Sequence, residues 1–115
     1  MKTSPETPVK VGFESRELMM LCSSRSALDR QFGRALASSI RDRMSEAAGV
    51  PTLADLMSLP AVRCEERHEG GRRTIAVELG QSARLVLEPV DHDEQPFAPD
   101  LVTRVVVARI ERADG

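Results

Sequence analysis

The sequence predicts an α+β fold in which helices pack on one face of a mostly antiparallel sheet. Two stretches carry this. Residues 72 to 89 hold two runs of period-two alternation, Thr74 to Leu79 and Ala83 to Glu88, joined by Gly80-Gln81-Ser82, a connector so short that it can only reverse the chain. Residues 27 to 48 instead repeat apolar side chains at helical spacing, as Leu28, Phe32, Ala35, Leu36, Ile40, Met44 and Ala47.

A chain of 115 residues is long enough for one core and too short for two, so residues 9 to 115 are read as a single domain behind a flexible leader of residues 1 to 8. No apolar run has the length of a membrane span, and MKTSPETPVK lacks the hydrophobic segment of a signal peptide, which predicts a cytoplasmic protein. Cys22 and Cys64 have neither metal-type spacing nor a disulfide framework around them, so both are expected to be reduced, packed thiols. A net charge of −2 offers no blanket attraction to nucleic acid; any such contact must come from a local basic cluster.

In chain order, Val9, Val11 and Phe13 alternate with Lys10, Gly12 and Glu14 and predict a short first strand. Residues 15 to 22 predict a short helix, and Ser23-Ser24 a turn or cap before the long helix of residues 28 to 48. Gly49 and Pro51 stop that helix. Thr52 then caps a brief helical piece that runs through Leu59 to Pro60. Val62 to Glu66 predicts an outer strand, and His68-Glu69-Gly70-Gly71 a turn into the hairpin.

Within the hairpin Ile75, Val77, Leu79, Ala83, Leu85 and Leu87 fall on a core face, and Thr74, Ala76, Glu78, Arg84, Val86 and Glu88 on the other. Asp91 to Asp100 reads as an acidic loop, able to fold over part of a basic surface. The last strand is expected from about Leu101 to Ile110, with Val105, Val106 and Val107 as a run covered on both sides and Glu111 to Gly115 as a polar tail. The predicted order is therefore β-α-α-β-β-β-β.

Several short stretches in that order resemble one family. They are Leu21-Cys22-Ser23-Ser24, Pro51-Thr52-Leu53-Ala54-Asp55-Leu56, Ala61-Val62-Arg63-Cys64, Ala76-Val77-Glu78-Leu79, Arg84-Leu85-Val86-Leu87-Glu88-Pro89 and Val102-Thr103. Spread over roughly residues 9 to 110, they resemble the RelE/ParE superfamily of bacterial toxins, and more closely its HigB-like, plasmid-maintenance branch. The resemblance implies a RelE-like sheet and the toxin role in a type II toxin-antitoxin system. The activity implied is ribosome-dependent messenger RNA cleavage without metal or other cofactor. The implied partners are a helix-turn-helix antitoxin, the ribosome and mRNA, with no membrane. A non-catalytic binding module on the same fold, and a ParE-like gyrase inhibitor, are the alternatives that the resemblance leaves open.

In such cleavage the 2′-hydroxyl attacks the adjacent phosphate, so a proton must be accepted, transition-state charge stabilised and a leaving oxygen protonated. Arginine suits the charge, since its fixed fork binds phosphate oxygens in pairs. Arg84 falls where the resembling proteins carry a strand arginine near the phosphate. Arg84, Arg72 and Arg73 are the expected catalytic arginines, His68 the proton-transfer group, and Arg63 and Arg67 the RNA-binding residues. The relatives commonly end their last strand with Asp-Tyr-His, where this chain has Arg112-Ala113-Asp114-Gly115 and no tyrosine anywhere.

Overall fold

A computed structural model describes residues 9 to 60, 62 to 80, 83 to 90 and 98 to 112. The leader, residues 91 to 97 of the acidic loop, the Gln81-Ser82 connector and the end of the tail lie outside the described residues.

Five strands form one mixed sheet in the order β1-β5-β4-β3-β2: β1 Lys10–Phe13, β2 Cys64–Glu69, β3 Arg72–Gly80, β4 Ala83–Pro89 and β5 Arg104–Arg112. β1 runs parallel to β5 and every other pairing is antiparallel, so the fold is α+β and mostly antiparallel. Four helices lie between β1 and β2: α1 Arg16–Cys22, α2 Arg25–Phe32, α3 Arg34–Gly49 and α4 Leu53–Met57. The order is thus β-α-α-α-α-β-β-β-β, not the expected β-α-α-β-β-β-β.

Of the two extra helices, α4 is the brief piece expected after Thr52 but not counted in the predicted order, and the other comes from Gly33. The apolar repeat runs unbroken through residues 28 to 47, but Gly33 adopts φ 85° and ψ 158°, which ends α2 and restarts the chain as α3. That conformation is almost exclusive to glycine, and a periodicity of side chains carries no record of it. Local chemistry sets the other ends. Ser15 and Ser24 accept hydrogen bonds from the Leu18 and Ala27 amides, each 3.1 Å, as N-caps of α1 and α2. Thr52 and Asp55 form a reciprocal capping box on α4, which ends at Ser58, short of the expected Leu59.

The core lies between α3 and the sheet. Leu28, Leu36 and Ile40 are buried with Ile75, Val77, Leu85 and Leu87, as the two apolar patterns require, and Leu53, Leu56, Val105 and Val107 complete the cluster. Phe32, expected in the core, is half-buried at its margin, where the Arg112 guanidinium sits 5.7 Å from the ring centroid. Val105 and Val107 are buried while Val106 is half-exposed on the opposite face, next to Gly12, so the valine run is not sealed on both sides.

Two further boundaries differ from expectation. β2 extends to Glu69, so His68 and Glu69 belong to a strand and only Gly70-Gly71, at φ 57° and 80°, make the turn. Charged side chains hide a strand signal there, because an edge strand gains by carrying them. A short 3-10 turn, Pro99–Leu101, precedes β5, which runs on to Arg112, so Glu111 and Arg112 are strand residues and not tail. No helix among the described residues is long and apolar enough to cross a membrane.

Candidate functional site

With the helices stacked against one side, the other side of the sheet is built from side chains alone. Register places Glu65, Arg67 and Glu69 of β2, Arg72, Thr74, Ala76 and Glu78 of β3, Arg84, Val86 and Glu88 of β4, and Arg109 and Glu111 of β5 on it. Thr74, Ala76 and Val86 are buried although no helix covers them. Their cover is a lattice of long charged side chains lying over these three small ones.

The lattice is continuous. Arg67 Nη1 donates to both Glu111 carboxylate oxygens at 3.0 and 3.1 Å, and Arg109 Nη2 donates to both Glu69 oxygens at 2.8 and 2.9 Å. Arg109 also donates to Glu111 Oε2 from Nη2 at 2.6 Å and from Nε at 3.0 Å. Glu65 stands 3.5 Å from Arg67 Nε. These forked, charge-assisted bonds hold the Glu111 carboxyl below the usual carboxylate range, chiefly through Arg109. They raise the guanidinium pKa of Arg67, chiefly through Glu111, and of Arg109, chiefly through Glu69.

The expected site residues divide between the two sides. Arg67, Arg72 and Arg84 share the helix-free face. Arg72 is bound to Glu88 at 2.6 Å, whereas no ion pair among the described residues includes Arg84. Arg73 and His68 are paired in register on the opposite side, at the far end of the β2-β3 hairpin, where both approach Glu66, at 3.2 and 3.6 Å. His68 therefore does not join Arg84. Arg63 is exposed just before β2 and its carbonyl accepts the Glu78 amide at 2.8 Å.

That amide bond places Arg63 at one end of a row that crosses the sheet near the β3-β4 turn. Glu78 stands opposite Arg84, and Arg84 opposite Glu111. A cleft of about 230 Å³ opens beside the row, lined by Ser39 and Arg43 of α3 with Arg63, Glu78, Leu79 and Gly80. The register shift between Glu78 and Gly80, with Gly80 at φ 85°, is the kind of bulge that re-aims a side chain. Arg109, Glu111 and Glu78 were not among the expected functional residues. The alternation Arg109-x-Glu111 continues the strand pattern and could have revealed the first two, had the strand end been placed two residues later.

The thiols offer no nucleophile. Burial raises the Cys22 pKa and lifts that of Cys64 to about 11 against the opposing charge of Arg43, so both are protonated at neutral pH. Among the described residues no group of three or more His, Cys, Asp or Glu side chains could hold a metal ion. No protein-family model, curated protein or solved structure matches the chain.

Proposed function

We propose that this protein is the toxin of a type II toxin-antitoxin pair, a RelE-like, HigB-like endoribonuclease that cuts messenger RNA on translating ribosomes without a metal. Its partners in this reading are a helix-turn-helix antitoxin, the ribosome and mRNA, in the cytoplasm. The observation that supports it best is Arg84, a half-buried guanidinium on the helix-free face, outside the ion pairs that hold Arg67, Arg72 and Arg109. A guanidinium outside the ion pairs of the described residues is what a phosphate needs, because binding it breaks none of those pairs. Arg63, exposed at the end of the same row, gives a second cation for the RNA backbone.

The non-catalytic reading, a module on this fold that binds an antitoxin or another protein and cuts nothing, draws on a different observation. Arg67, Arg72 and Arg109 are neutralised by Glu65, Glu69, Glu88 and Glu111, and His68 stands on the other side of the sheet. Induction of the chain without an antitoxin separates the two. Growth arrest with loss of translated messages supports the endoribonuclease, and normal growth with intact messages supports the binding module.

A further inference from the structure

We propose that Glu78 is the proton acceptor of the RNA-cleaving reaction and that its carboxylate works opposite Arg84. The inference rests on the endoribonuclease reading and assigns the step for which that reading has no residue, since His68 lies across the sheet from Arg84 and the chain has no tyrosine.

Among the described residues five carboxylates share the helix-free face with Arg84, and four of the five are committed. Glu65 pairs with Arg67, Glu69 and Glu111 with Arg67 and Arg109, and Glu88 with Arg72. Glu78 is exposed and belongs to no ion pair among the described residues. It stands directly opposite Arg84 in the β3-β4 ladder, which brings their Cβ atoms to about 5 Å. That separation is wide enough for a ribose-phosphate unit to engage both heads and close enough for one nucleotide to do so. The charged groups around Glu78 are Arg63 before β2, Arg84 on β4, Glu111 beyond it on β5 and Arg43 on α3. Arg84 opposite it and Arg63 beside it are the cations in register with Glu78 on this face.

In the step, the 2′-hydroxyl O–H bond breaks and its proton passes to the Glu78 carboxylate as the 2′-oxygen bonds to phosphorus. Arg84, with Arg63, carries the charge gathered on the non-bridging oxygens. The bond from phosphorus to the 5′-oxygen breaks, the oxygen leaves with the electron pair and takes a proton from water, and the hydroxide formed takes the proton held by Glu78. The products are a 2′,3′-cyclic phosphate and a 5′-hydroxyl end.

The test uses the full chain on translating ribosomes, with wild type, Glu78→Gln and Glu78→Asp compared for transcript cleavage, and a transcript bearing a single 2′-deoxynucleotide at the cut position as the binding probe. Glu78→Gln should cut at least about a hundredfold more slowly, while its melting temperature and its affinity for the deoxy-substituted complex stay at wild-type values. Glu78→Asp should recover a substantial part of the rate, as a shorter carboxylate can and a merely structural residue could not. Cleavage by Glu78→Gln at the wild-type rate overturns the assignment while leaving the endoribonuclease reading intact. A wild-type chain that cuts nothing overturns both.

Discussion

Arg67 of β2 and Glu111 of β5 meet at 3.0 Å although two strands separate them in the sheet. In a flat sheet those strands lie about 14 Å apart, and the two long side chains close that gap by reaching toward each other across β3 and β4. The contact joins side chains of β2 and β5 in one lattice over Thr74, Ala76 and Val86.

The lattice has a pH signature. Because folding depresses the Glu111 pKa, its stabilisation is complete above the ordinary glutamate value of about 4.3 and is lost as pH falls through the lower folded value. Glu111→Gln should therefore lower the melting temperature at pH 7 by more than at pH 3. Equal losses at both pH values would show that the carboxylate charge contributes nothing. Raising the salt should narrow the gap only partly, as the pair is partly shielded.

Gly33 is where the helices divide. A Cβ there would meet nothing within 4 Å, so any cost of Gly33→Ala is one of backbone conformation. With φ at 85° and ψ at 158° the substitution should destabilise by roughly 1 to 3 kcal/mol. An unchanged unfolding midpoint in urea would mean that α2 and α3 can join into one helix at no cost.

Leu36 is buried in the contact between α3 and the sheet. Leu36→Ala should cost about 2 to 5 kcal/mol, a large part of the stability of so small a domain. Arg34→Ala, at an exposed position two residues away, should change the unfolding midpoint little. The reverse order would contradict the packing.

With its pKa raised to about 11, Cys64 should react with iodoacetamide at pH 7.5 far more slowly than a free thiol of pKa about 8.5. Unfolding in guanidinium should restore ordinary reactivity. A folded protein alkylated as fast as the unfolded chain would mean that the thiol is not desolvated.

Much of the fold was legible because two periodicities are unambiguous. The alternation of Ile75, Val77, Leu85 and Leu87 marked the hairpin and its core face, and Leu28, Leu36 and Ile40 marked the helical stripe that covers it. What was not legible depended on backbone conformation or on distant partners. Gly33 breaks a helix whose side chains keep perfect spacing, and β2 is written in charged residues that read as a turn. The candidate site was half legible. Arg67, Arg72 and Arg84 could be placed on one face by alternation, but the neutralisation of Arg67 by Glu111 depends on a contact across two intervening strands between residues 44 apart in sequence. His68 could not be excluded from Arg84's face until β2 was seen to include it.

In the proposed reading Arg84 holds the phosphate of a scissile RNA. Purified wild-type and Arg84→Ala protein, incubated with ribosomes stalled on a defined message, should differ in the yield of new 5′-hydroxyl ends by roughly a hundred- to a thousandfold, the usual effect of removing one preorganised charge donor. Circular dichroism and melting should be alike, since no ion pair of the described residues is lost with Arg84. Equal yields of cut message from the two proteins would contradict the account.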